Sequence, residues 1–107
     1  MLRILLDESV PKALGFLIEG HFVRSVQFAG LAGLQNGELM AAMVSESYDC
    51  LITFDQNLPY QQNAVLPVAV MVLVAANNRV ETALRFAPLI KDVLIQFTPR
   101  QLIKLEL

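Results

Sequence analysis

The sequence predicts an α/β domain: one three-layer unit over residues 1–107, with a mostly parallel sheet of about five strands and helices on both faces. Three observations predict it. Short apolar runs alternate with helix-periodic segments, the pattern of parallel strands joined by helical crossovers. Two of those runs, Leu2–Leu6 and Cys50–Phe54, stop abruptly at acids, Asp7 and Asp55. Hydrophobic residues make up 55% of the 107 residues, and mean hydropathy is +0.52. That is high for one small domain, so the sheet is expected to be covered on both faces and some apolar surface to be buried in a homodimer.

The first strand is Leu2–Leu6. Ser9 and Pro11 offer a hydroxyl cap and a first-turn proline. The helix expected over Ser9–Glu19 places Val10, Leu14, Leu17 and Ile18 on one face, and Gly20 ends it. Phe22–Val26 is the second strand. His21, in the turn before it, reads as a solvated turn residue and is given no role. Ala29–Gly37 reads as a loop. Its glycines lack the spacing of a phosphate-binding loop. Asn36 is placed to cap a helix over Gly37–Ser47, with Leu39, Met40, Met43 and Val44 facing inward. Glu38 falls in its first turn, where the helix dipole alone would favour a carboxylate.

Cys50–Phe54 is the third strand. The stretch 56–63, QNLPYQQN, is unusually rich in amides for a loop. Val68–Val74 is continuously apolar and so central. Asn77 and Asn78 follow at its carboxyl end, and Asn78 with Glu81 resembles a capping box. Helix is expected from Arg79 to Phe97, broken at Pro88. Gln101–Leu107 alternates as an edge strand. With right-handed crossovers the simplest strand order is 2-1-3-4, with the fifth strand at the far edge. Asp7 and Asp55 then end neighbouring strands, with Glu38 able to reach in.

Several function classes are disfavoured. The net charge of −2 announces no nucleic-acid-binding surface. The single Cys50 allows no intrachain disulfide, which suits a reducing, cytoplasmic setting. No signal peptide is expected, and the apolar stretch Ala64–Ala76 contains Pro67 and is too short to span a membrane.

Carboxylates gathered at one sheet edge must share protons or hold a cation. Oxygen ligands without clustered His or Cys point to Mg²⁺ or Mn²⁺. A metal so held suits phosphodiester hydrolysis and supplies the positive charge the composition lacks. Asn57 can add a carbonyl ligand. Glu8, Asn36, Gln61, Gln62, Asn63 and Asn77 are candidates for supporting or substrate-binding roles.

At these residues the chain resembles a known family. ILLDESVP, NGELM and LITFDQNLPYQQN are similar to the small PIN-like domains of bacterial proteins, relatives of PIN-domain nucleases and VapC-type toxins. The resemblance covers nearly the whole chain, and the DQNLPYQQN block is its most specific part. It implies Mg²⁺ or Mn²⁺ bound by Asp7, Glu38 and Asp55, cleavage of RNA, and an antitoxin-like protein partner. The broad family often carries acids where this chain has Asn36 and Asn57, and those amides remove negative charge from the site. Two other readings stay open. One is a PIN-like protein-interaction module without catalysis. The other is a receiver-like domain phosphorylated at Asp55, although Ala75 and Ala76 offer no hydroxyl and Lys104 lies inside the last strand.

Overall fold

A computed structural model describes residues 1–56 and 66–107, with Asn36 described by its backbone alone. Five strands form one sheet: β1 (Arg3–Leu6), β2 (Phe22–Ser25), β3 (Cys50–Thr53), β4 (Ala69–Val74) and β5 (Leu102–Glu106). Their order is β2-β1-β3-β4-β5, and every pairing is parallel. The α/β class and the order expected from crossover handedness both hold. β3 is buried at every residue and β4 at all but its last, as continuous apolar runs require of central strands.

Among the described residues, four α-helices and one 3₁₀ helix cover the sheet. They are α1 (Val26–Ala29), α2 (Asn36–Ser45), α3 (Val80–Leu84), α4 (Ala87–Ile95) and the 3₁₀ helix Lys12–Leu17. One face packs Ile4, Leu6 and Ile52 beneath Leu14, Phe86 and Ile90. The other packs Leu5, Leu51 and Val70 beneath Val26, Met40 and Met43. Burial on both faces absorbs most of the apolar composition. Among the described residues, no helix is long and apolar enough to cross a membrane.

The first helix differs from the expectation. Asp7 begins a turn, with Val10 N–H bonded to Asp7 O, and Pro11 stays extended at ψ 133°. Helical geometry therefore starts only at Lys12. A 3₁₀ helix rises ~2.0 Å per residue, so six residues run back along a four-residue strand of ~13 Å, whereas six α-helical residues cover ~9 Å. Gly15 seats this helix on the sheet: a Cβ there would lie 3.3 Å from Val23 Cγ1. Leu17 turns outward, while Val10, Leu14 and Ile18 are buried as expected.

Other boundaries shift for local reasons. Val26 leaves β2 because the Ser25 hydroxyl accepts Phe28 N–H at 3.1 Å and caps α1, which Gly30 ends with a φ of 76°. The expected loop from Ala29 thus begins inside a helix. α2 starts at Asn36 itself, so the cap position expected for Asn36 falls to Gln35, which makes no side-chain bond. Val44 is exposed rather than inward. It stands about 100° round the helix from Met43, and Tyr48 closes the core instead. The long last helix breaks at Arg85 and Phe86 rather than at Pro88, which is accommodated in the first turn of α4. His21 has a structural role after all, because its Nδ1 accepts Leu2 N–H at 3.0 Å.

Cys50 is fully buried. Burial pushes its thiol up to about 12 from 9.0, and Asp49 adds to the shift. Between those pH values the unfolded chain releases a proton that the folded chain keeps. The contribution of this group is therefore complete below pH 9 and is lost as pH rises towards 12. Iodoacetamide at neutral pH should modify Cys50 only through unfolding, ~10³-fold or more slowly than an exposed thiol. Labelling at the rate of a free thiol would contradict this burial.

Candidate functional site at the β1–β3 edge

The chain leaves β1 for β2 on one side and returns to β3 on the other. The carboxyl ends of β1 and β3 therefore form the switch point of the sheet. Leu6 pairs with Ile52, and Asp7 N–H extends the ladder to Ile52 O at 3.1 Å. This register sets Asp7 beside Thr53.

The Asp7 carboxylate is the centre of a hydrogen-bonded strap. Its Oδ1 accepts Ser9 N–H at 2.9 Å and the Ser9 hydroxyl. Its Oδ2 accepts the hydroxyl of Thr53, a fully buried side chain. The Ser9 hydroxyl in turn accepts Phe54 N–H at 3.0 Å, and Thr53 Oγ1 accepts Asp55 N–H at 2.9 Å. Four residues from two strand ends thus fix the backbone on which Asp55 sits. Ser9 is not a helix cap but a bridge between the strands. Local pattern gave no hint of it, since the Phe54 N–H that its hydroxyl accepts lies 45 positions away. Thr53 had one available signal: a hydroxyl near the end of an otherwise apolar run, two residues before an acid.

A cleft of about 340 Å³ opens above this strap, lined by Asp7, Glu8, Ser9 and Asp55 on its polar side. Leu31, Leu34 and Leu39 are among its apolar lining. Glu8 is exposed, and its Oε1 accepts Gly33 N–H at 3.0 Å, which ties the α1–α2 loop to the rim. Gly33 has a φ of 87°, a conformation that suits glycine. Asp55 is exposed at the mouth.

Not every expected member joins them. Glu38 is exposed on α2 and does not line the cleft, whereas Gln35 and Leu39 do. Those two stand one turn apart on a single face, and Glu38 is about 100° round from Leu39. Asn77 faces its own helix: its Oδ1 accepts Arg79 N–H at 3.0 Å and the Thr82 hydroxyl at 2.7 Å. The cap position of α3 is Arg79, without a side-chain bond, so the capping box expected of Asn78 and Glu81 is not made and Asn77 turns the chain into the helix. Asn78 instead donates to Ser9 O at 2.8 Å and ties the β4–α3 turn to the strap. Asn57, Gln61, Gln62 and Asn63 lie outside the described residues, as does the side chain of Asn36.

The donor set suits a hydrated hard cation rather than a caged one. Among the described residues, no three Asp, Glu, His or Cys side chains gather closely enough to enclose a metal. Mg²⁺, however, is commonly held by only one or two carboxylates and keeps several waters. Asp7 and Asp55 are two carboxylates that line one open cleft and could serve as such ligands. Each Asp7 oxygen keeps lone-pair capacity beyond the bonds it accepts. No protein-family model, curated protein or solved structure matches this chain.

Proposed function

We propose that this domain is a PIN-like ribonuclease that hydrolyses RNA phosphodiesters with Mg²⁺ or Mn²⁺ held by Asp7 and Asp55, as the toxin of a toxin–antitoxin pair. One observation carries the reading: the acids that end two adjacent parallel strands line a single cleft at the switch point of the sheet. A divalent ion bound there would lower the pKa of a coordinated water and neutralise charge on the phosphate. Ser9 and Thr53 fix the rotamer of Asp7. The backbone bond from Asp55 to Thr53 fixes the main chain that carries the second carboxylate of the cleft. Leu31, Leu34 and Leu39 exclude water from one side of the cleft and strengthen its electrostatics. Glu38 and Asn57 belong to the family pattern as further ligands, and the geometry lends Glu38 no support. A cytoplasmic setting suits a chain whose only thiol is buried, and a homodimer would cover exposed apolar residues.

The test is cleavage of a single-stranded RNA oligonucleotide with Mn²⁺. The parent chain should cut it, and Asp55→Asn or chelation by EDTA should lower the rate at least ~100-fold. An inactive parent, or a variant that cuts at the parental rate, would remove the proposal.

A second reading, a protein-interaction module without catalysis, draws on the full engagement of Asp7 within the strap. It predicts stable association with a partner and no metal dependence. The receiver-like reading is weaker. Lys104 pairs with Val72 inside the sheet, away from the carboxyl end of β5. Acetyl phosphate should add no mass at Asp55.

A further inference from the structure

β2 is an edge strand, bonded only to β1 among the described residues. Its sequence, FVRS, carries neither proline nor lysine, two of the devices that usually blunt an edge. Phe22 N–H donates to Leu2 O at 2.9 Å. Backbone groups alternate sides along a strand, so Phe22 and Arg24 serve β1 while the N–H and C=O of Val23 turn to the outer edge. No described residue bonds them.

This edge is the floor of a groove of about 520 Å³, separate from the carboxylate cleft. Three consecutive strand residues, Val23, Arg24 and Ser25, line it. Leu6 of β1 and Gly15 line it as well, so the groove runs along the β2 edge and reaches in beneath the 3₁₀ helix. One wall is Lys12 and Phe16 from the 3₁₀ helix, and the other is Gln27 and Phe28 from α1. Phe16 is 84% exposed and Phe28 72%. The Arg24 guanidinium lies 4.6 Å from the Phe22 ring centre and 4.4 Å from that of Phe28. Among the described residues, Lys12 and Arg24 are the only charged ones lining the groove, on a chain whose net charge is −2.

We propose that the β2 edge is a docking groove for an extended, acidic segment of a partner protein, which adds a sixth strand to the sheet. Its backbone bonds Val23, its carboxylates meet Arg24 and Lys12, and its apolar side chains fill the space between Phe16 and Phe28. Strand addition of this kind draws affinity from main-chain bonds and specificity from flanking pockets. A second copy of the chain fits less well, because two-fold pairing of β2 would crowd Lys12 and Arg24 of both copies round one axis. A nucleic acid would leave the free strand edge unbonded. The proposal does not depend on the carboxylate site.

The probes are fluorescein-labelled peptides of about nine residues that alternate glutamate with valine, isoleucine, phenylalanine or tyrosine, a motif suited to strand addition. Fluorescence anisotropy should show saturable binding of at least one of them. Arg24→Glu and the double change Phe16→Ser with Phe28→Ser should each weaken it ~10-fold or more, a change of about 1.4 kcal/mol. Both phenylalanines are exposed, so the serine variant should fold, as circular dichroism would verify. Peptide should also slow hydrogen exchange at Val23 N–H, which contact on a sheet face would not do. Asp55→Asn should bind peptide like the parent, whatever the fate of the nuclease reading. The proposal fails if no glutamate peptide binds, or if lysine-for-glutamate peptides bind equally. It fails also if only a single-stranded RNA occupies the groove, or if sedimentation shows a dimer that the serine variant dissolves.

Discussion

Asp7→Ala should lower folding stability by about 2–4 kcal/mol and reduce any metal-dependent cleavage at least ~100-fold. The stability loss comes from the strap. The Asp7 carboxylate accepts Ser9 N–H, the Ser9 hydroxyl and the Thr53 hydroxyl. Hydrogen bonds to a charged acceptor contribute roughly 1.5–3 kcal/mol each, though not additively. Alanine also strands the Thr53 hydroxyl, which is fully buried. Thr53→Val keeps the volume and removes that hydroxyl, leaving the Asp55 N–H to find another acceptor. The double variant should therefore lose less than the sum of the two single changes, because the stranded group is gone. Urea unfolding of the four proteins reads this coupling directly. A parental urea midpoint for Asp7→Ala would mean that the strap does not hold the two strand ends together.

Phe86→Ala should cost about 3–5 kcal/mol, a large part of the ~5–15 kcal/mol that stabilises a domain. Phe86 is 0% exposed and lies just before α4, where it packs with Ile52, Met71 and Ile90 in the core beneath the helices. Its ring meets Phe54 edge-on, with centres 5.9 Å apart and planes at 83°. Such a pair adds about 0.5–1.5 kcal/mol beyond area burial. Phe54 lies between Thr53 and Asp55 in the chain, so the cavity opens directly behind the candidate site. Cleavage should weaken even where the variant remains folded, with Asp55 less firmly held. A melting temperature within about 3 °C of the parent would contradict this assignment of the core.

Much of the scaffold was legible in the sequence because it rests on local pattern. The runs ending at Asp7 and Asp55 read as strand ends, since an apolar stretch that stops at an acid leaves few other choices. Crossover handedness then gave the strand order, and with it the meeting of those acids in one cleft. The strap was not legible. Ser9 looked like a helix cap, and only the parallel register of β1 and β3 brings it to Phe54. Which residues of α2 face the cleft was not legible either: Gln35 and Leu39 line it and Glu38 does not, a difference of one position that periodicity does not resolve when the helix starts at Asn36 rather than Gly37. The roles of Asn77 and Asn78 were hidden for a similar reason, because they depend on where the chain turns after β4. The 3₁₀ helix was hidden because Val10, Leu14 and Ile18 fit an α-helical face as well as the tighter one.

The carboxylate pair at the switch point is the central claim, and calorimetric titration with Mn²⁺ at neutral pH tests it most directly. The parent chain and Asp55→Asn are titrated side by side, with circular dichroism to verify that both are folded. The parent should bind the ion and the variant should not. No binding by the parent at millimolar Mn²⁺, or equal binding by both proteins, would contradict the assignment of Asp7 and Asp55 as a metal site.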